Sequence, residues 1–334
     1  MEEIQQAAEV QAAAEDQLIE GVAGVPNGKN KKNKGSNLRK QENLIGWIYI
    51  APMVIGLVLF SLIPIILSIV SMFYRYDGSA QISDWVSVGG ENFKKIFGGM
   101  HSKEYWDSFA NTLLFAIQLP LGMIIGMFLA LGMNRSMRGV QAFRIIYYIP
   151  CVMSVVAVTV VWKKLFAQNG IIDNMFHNSD AYVTNPEDQF LWLDSRVGIV
   201  ITVTLLQIWK GVGYTALMFI AGLQSVSTDQ LEAARIDGAG PWTILYKITL
   251  PALYPIIFYL LVTGLIGSLQ MFNEVYVLTG GVGGYKTAVS FVYYCKEVVK
   301  NYGEASVAAW VLAVIIFIVT AIQMYVDKRK REAE

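Results

Sequence analysis

Five long stretches of the chain carry no charge, residues 44–74, 108–133, 145–162, 248–273 and 305–326. A sixth, 197–227, is interrupted only by Lys210. Each meets or approaches the about 20 apolar residues that a helix needs to cross a hydrocarbon core. The pattern predicts an all-α protein with six spanning helices. Between the fourth and fifth of them lies a polar island, residues 227–251, which nonetheless reads as structured. Ser227 and Gln230 have the spacing of a capping box, so a helix starts at Thr228. Asp237-Gly238 stops it, and Pro241 suits the first position of a second short helix. Leu231, Ala234 and Leu245 give the pair a small apolar face, while Glu232, Arg235 and Asp237 stay wet. Such a hairpin is either a shape to be gripped by another protein or an ordinary connecting loop that is helical.

The flanks give direction. The loop 134–144 carries Arg135, Arg138 and Arg144 and no acid, and Lys328, Arg329, Lys330 and Arg331 follow the last span. Basic residues mark the cytoplasmic side of short loops, and an even number of spans puts both termini there, with residues 227–247. The loops on the other side are 75–107, 163–196 and 280–304; the first two hold more acids than bases. Residues 1–43 form a polar tail with a basic run from Lys29 to Lys40. The apolar stretch after it is too long for a signal peptide and stays as an anchor. The expected organisation is a cytoplasmic tail (1–43), a first span (44–74), an outer loop (75–107), a five-span core (108–327) and a basic cytoplasmic tail (328–334).

Composition agrees with a membrane protein: 54% of residues are hydrophobic and 16% charged, against about a quarter charged in soluble domains. Mean hydropathy is +0.45. Net charge is +0 with no long basic face, which argues against nucleic acid. Two cysteines, Cys151 in an apolar run and Cys295 in a loop, make no disulfide framework. Two histidines, His101 and His177, sit far apart, and no cluster has metal spacing. Gly280-Gly281-Val282-Gly283-Gly284-Tyr285-Lys286 fails as a phosphate loop because Tyr285 separates glycine from lysine; its glycines suit a tight exit turn. No catalytic residue is assigned, since no Ser/His/Asp set or carboxylate dyad is visible. If ATP is used, another chain binds it.

Polar residues inside the spans are the candidates for a solute path. The fourth span crowds Gln207, Trp209, Lys210, Gly211 and Tyr214, and the fifth carries Gln270, Phe272, Asn273 and Glu274. Lys210 costs a few kcal/mol in mid-membrane, so it either faces a water-filled cavity or snorkels and pairs with a polar neighbour. At a rise of roughly 1.5 Å per residue, Glu274 and Lys210 differ in depth by more than about 10 Å, so a direct pair between them is not expected. Amides and carboxylates beside aromatic faces suit a sugar, but the same residues also serve as lipid anchors and helix glue. Pro52, Pro64, Pro120, Pro150, Pro251 and Pro255 fall within or at the edges of spans, where each removes a backbone donor.

Glu232-Ala233-Ala234, then Gly238, then Ile248, Leu250 and Pro251, resembles the E-A-A…G…I-x-L-P signature of the membrane subunits of binding-protein-dependent ABC importers. The likeness extends over most of residues 42–327 and is similar in particular to the sugar-importer branch of type I permeases. Gln270–Gly281 resembles that branch's Phe-Asn/Asp…Tyr…Leu-Thr-Gly-Gly segment, through Phe272, Asn273, Tyr276, Thr279, Gly280 and Gly281. Val282, where relatives often have proline, and Pro150-Cys151 depart from it and leave the sugar open.

The resemblance implies a multi-pass permease of the cell (inner, cytoplasmic) membrane, set in lipid, that imports a di- or oligosaccharide. Glu232, Ala233, Ala234, Asp237, Gly238, Leu250 and Pro251 would form the element that couples it to a separate ABC ATPase. It further implies a second homologous permease subunit and an extracytoplasmic solute-binding protein. No cofactor would bind this chain; ATP and Mg would sit on the partner ATPase. Three alternatives remain: the same architecture importing glycerol phosphate or another small solute, a stand-alone secondary transporter, and a membrane enzyme. Two basic residues facing the cavity would favour an anion, and Lys210 alone qualifies. A secondary transporter would usually show more spans and an internal repeat, and none is found.

Overall fold

The computed structural model describes residues 45–78, 84–134, 139–177, 191–281 and 285–332. The N-terminal tail and Val282–Gly284 of the glycine-rich turn lie outside these residues. Contacts divide the chain after Ile66. The first unit holds the beginning of one apolar helix, α1 (Ile45–Ser71), and no residue in its most apolar window is buried. Pro64 follows a single π-turn at Val58–Leu62, where the regular hydrogen-bond ladder loosens.

The second unit begins at Leu67. A two-residue hairpin, β1 (Tyr74–Arg75) and β2 (Val86–Ser87), is followed by α2 (Glu91–Phe97), α3 (Ser102–Phe115) and α4 (Gln118–Met133). Next come α5 (Val140–Val152), α6 (Val155–Phe166), α7 (Ile171–His177) and the long α8 (Arg196–Leu223). α9 (Thr228–Ile236) and α10 (Pro241–Ile244) form the polar hairpin, and α11 (Leu250–Ala252) leads into α12 (Tyr254–Leu269) and α13 (Asn273–Thr279). α14 (Ala288–Glu297) and α15 (Tyr302–Arg331) complete the chain.

Among the described residues, six helical segments are long and apolar enough to cross a membrane: Ile45–Ser71, Ser102–Met133, Val155–Met175, Arg196–Leu223, Tyr254–Thr279 and Tyr302–Arg331. The protein is therefore an all-α, six-span membrane protein. Three spans differ from the sequence expectation, the first of them 108–133, where a turn at Ala116–Ile117 separates α3 from α4. The run 145–162 is not one helix: α5 ends at Val152, Met153 and Ser154 are extended, and α6 begins at Val155. Pro150, in the last turn of α5, has no N–H to give to the carbonyl of Ile146, which weakens the helix where it stops. The fifth span runs further than 248–273 and is interrupted: α12 ends at Leu269, Phe272 has non-helical φ −136° and ψ −60°, and α13 restarts at Asn273. Gly267 and Ser268 precede this break, the residue types at which spanning helices kink.

The central packing is between α4 and α8. Met123, Gly126, Ala130 and Met133 recur at helical spacing on α4, opposite Ala216, Phe219, Ile220 and Leu223 on α8. Lipid is as apolar as leucine, so burial alone does not drive this pair together; close approach does. A Cβ on Gly126 would meet the Thr215 side chain at 2.7 Å, and one on Gly213 would meet the carbonyl oxygen of Tyr147 at 2.5 Å. These two glycines let α4 and α5 come against α8.

At the end of the molecule bearing α2, a second core forms from Ile96, Tyr105, Phe291, Cys295, Val307 and Ala308. Cys295 thus sits in a helix, α14, and is fully buried there, not in a loop.

Candidate functional site

α9 is built by local chemistry. Ser227 caps it, its Oγ accepting from the Gln230 N–H at 3.4 Å. At the other end Gly238 N–H donates to Arg235 O at 3.1 Å and Ala239 N–H to Ala234 O at 2.9 Å. This paired arrangement is the Schellman ending, which requires a left-handed residue, and Gly238 supplies it at φ +78°. Glu232, Ala233 and Asp237 are exposed and Ala234 half-buried. Leu250 and Pro251 lie in the return helix, Leu250 half-buried and Pro251 exposed at the start of α11.

None of the nine residues of α9 is buried, and Ile236 is 86% exposed. An isolated helix this short is marginal in water, because nucleation costs more than so few hydrogen bonds return. Leu231, Arg235, Ala239, Pro241, Trp242 and Leu245 border an open groove of about 650 Å³ toward the ends of α4 and α8. The hairpin is therefore held along one edge and presents the rest outward. Trp242 and Tyr246, both well exposed, stack on one another at 6.2 Å.

The span residues divide into two groups. Lys210 is half-buried on α8, its Nζ donating to the Cys151 carbonyl at 3.4 Å, while Cys151 Sγ donates back to the Lys210 carbonyl at 3.1 Å. One turn on, the Tyr214 hydroxyl meets that of Tyr259 at 3.3 Å. Gln207 is half-buried on the same helix, and Gly211 faces open space. The second group stands at the break in the fifth span. Phe272 packs against Tyr276 at 4.9 Å and Tyr293 at 5.4 Å. Gln270 and Asn273 are exposed and Glu274 half-buried.

Glu274 links the groups: the Lys210 charge acts on it without the two forming an ion pair within 4.0 Å. The absence of a direct pair agrees with the sequence expectation, and Glu274 lies in the first turn of α13, a separate helix with its own start. Broken helices are tolerated at membrane depth where they are buried in protein or line a water-filled cavity. Among the described residues, no three His, Cys, Asp or Glu side chains come together to hold a metal ion.

Sequence reasoning missed Tyr148 and Tyr259, which stand beside Tyr214, and the Cys151 carbonyl that receives Lys210. Tyrosines in spans read as lipid anchors, and a carbonyl leaves no trace in a sequence. It also missed a buried polar cluster at the other end of α15. There the carboxylate of Glu304, 1% exposed, accepts from Lys95 at 2.9 Å and Asn301 at 2.7 Å and faces His101 Nδ1 at 2.7 Å.

Known proteins bear on these features. Residues 122–332 match the family model described as "Binding-protein-dependent transport system inner membrane component". The chain is 32% identical over 302 residues to the probable ABC transporter permease protein YesP of Bacillus subtilis, covering 89% of this chain and 94% of that one. It is 26% identical to the lactose transport system permease protein LacF of Rhizobium radiobacter, over 89% of this chain and 98% of LacF. Among solved structures it is similar to a chain of a bacterial ABC transporter involved in the import of the acidic polysaccharide alginate. That match has a TM-score of 0.69 at 21% identity and covers 88% of this chain and 99% of the other.

Proposed function

The chain belongs to the family of binding-protein-dependent transport system inner membrane components, and from that premise we propose that it is the membrane-spanning subunit of an ATP-driven importer of di- or oligosaccharides. α9 carries the reading: a helix capped at both ends that buries none of its own residues is shaped for a partner. That partner is a separate ATPase chain, which binds ATP and Mg. Glu232, Ala233, Ala234, Asp237 and Gly238 form the lever it grips, and Leu250 and Pro251 transmit the push into α12.

The termini and α9 face the cytoplasm, following the basic loop and tail. A second homologous permease walls the other side of the path, and an extracytoplasmic binding protein delivers the solute. In support, the curated relatives include permeases named for lactose, for trehalose and maltose, and for multiple sugars. Within the chain, Gln207, Lys210, Gly211 and Tyr214 with Gln270, Phe272, Asn273 and Glu274 line the path, joined by Tyr148 and Tyr259. Polar groups beside aromatic faces are what a pyranose needs, hydroxyls to the one and ring C–H to the other.

Affinity capture of the intact complex, with a photo-crosslinker at position 234, tests this reading. An ATPase subunit crosslinked there, co-purifying with a second permease, is expected. Solute uptake by this chain alone in liposomes, without ATP, would overturn it in favour of a secondary transporter.

A further inference from the structure

We propose that Lys210 selects for a carboxylate on the transported saccharide, so that the substrate is an acidic, uronate-type oligosaccharide. This deepens the carbohydrate-importer reading and rests on it. A lysine in the body of a span costs about 2.5–3.5 kcal/mol on the gentlest scale, so it needs strong compensation. The protein supplies little. The one hydrogen bond from Nζ among the described residues goes to the Cys151 carbonyl at 3.4 Å, well beyond the usual N–H···O distance. No carboxylate oxygen of the described residues lies within 4.0 Å of it. An ammonium has three donors, and two have no acceptor among the described residues.

The surroundings say what would complete it. Gly211 beside it leaves open space where a side chain would stand. Tyr214 and Tyr259 are exposed, and Tyr148 stands beside them. A neutral sugar hydroxyl could accept from Lys210, but a charge-assisted bond to a carboxylate is roughly twice as strong, and low dielectric widens the gap. A phosphate dianion fits less well, since it sets two negative charges against one ammonium with Glu274 within electrostatic reach. A single carboxylate adds half the charge of a phosphate dianion and, with Glu274 beyond 4.0 Å of Nζ, is the anion that can close the ion pair, leaving the tyrosine hydroxyls and rings for the rest of the pyranose.

The test uses the whole importer reconstituted with its ATPase, second permease and binding protein. ATP-driven uptake is measured for a panel of uronate-containing di- and trisaccharides and their carboxyl-reduced neutral counterparts. The native complex should take up one or more carboxylated members in preference to the matching neutral sugars. Lys210→Gln should cut that preference at least tenfold, and Lys210→Arg should retain most of it. Because the binding protein is the same in all three complexes, a change in preference belongs to the permease. Uptake of neutral members only, or an unchanged preference in Lys210→Gln, overturns the proposal. Uptake of no saccharide at all overturns the carbohydrate reading beneath it.

Discussion

The carboxylate of Glu304 and the ring of His101 stand 2.7 Å apart, although 203 residues separate them in the chain. Around this pair Lys95 and Asn301 donate to the other carboxylate oxygen, and Asn301 in turn donates to Asn92 at 3.3 Å. Asn92 spends its amide protons on the carbonyls of Met72 and Tyr74, both at 2.9 Å. One buried network thus ties the turn after the first span, α2, the start of α3 and the start of α15 together.

Glu304→Ala is expected to destabilise the folded chain by about 1–3 kcal/mol, because it leaves the buried Asn301 amide and the half-buried Lys95 and His101 without this carboxylate, although Lys95 keeps Glu91 at 3.7 Å. Glu304→Gln should cost less, since its amide oxygen still accepts from Lys95 or Asn301. Denaturant titration of the detergent-purified chain measures both. Equal loss in the two variants would mean that charge, not hydrogen bonding, holds the network.

At Gly238 the cost of substitution is conformational. A Cβ there would meet no atom within 4 Å, so the φ of +78° alone penalises other residues. Gly238→Ala should lose about 1–2 kcal/mol locally, enough to fray the end of α9 without unfolding the protein. Gly238→Val should lose more, and Gly238→Asn least, since asparagine tolerates the left-handed region. ATPase co-purification and uptake should follow that order. Full uptake in Gly238→Val would separate the turn from coupling.

What a single sequence discloses depends on how far apart the interacting groups lie. The six spans show because five are charge-free runs and the sixth is broken only by Lys210, and the ends of α9 show because capping is decided within four residues. The gaps at Met153–Ser154 and at Gln270–Phe272 do not show, because Pro150 and Gly267-Ser268 read alike in a kinked helix and in a broken one. Lys210 and Tyr214 stand out by polarity, whereas Tyr259 becomes a path residue only when α12 lies beside α8. The Glu304 network is beyond one-dimensional reading altogether. Its members are ordinary charged and amide residues until the fold brings α2 to α15.

Cys295 offers a check on packing at that same end. Burial, then the negative charges of Glu304 and Glu104, push its thiol up to about 12, with Lys286 acting weakly against them. At pH 9 only roughly one such thiol in a thousand is ionised, and the thiolate is the reactive form. In a Cys151→Ser background, maleimide labelling of the native protein should stay negligible from pH 7 to 9 and become complete in denaturant. The thiol gains its charge only as pH rises toward the shifted value, so any contribution of its burial to stability is intact below pH 9 and falls above it. Rapid labelling at pH 7 would place Cys295 on the surface.

The hydroxyls of Tyr214 and Tyr259 face each other at 3.3 Å, longer than a good O–H···O bond, and both side chains are exposed. A contact of this kind adds little to stability, so Tyr214→Phe and Tyr259→Phe should each shift unfolding by less than about 0.5 kcal/mol. Transport is a different matter if the two hydroxyls meet the passing solute. Each single variant should then raise the apparent KM for uptake several-fold with little change in expression, and the double variant should exceed either. Should KM stay at the native value in the double variant, the pair is only a spacer between α8 and α12, and the solute passes on another face of α8.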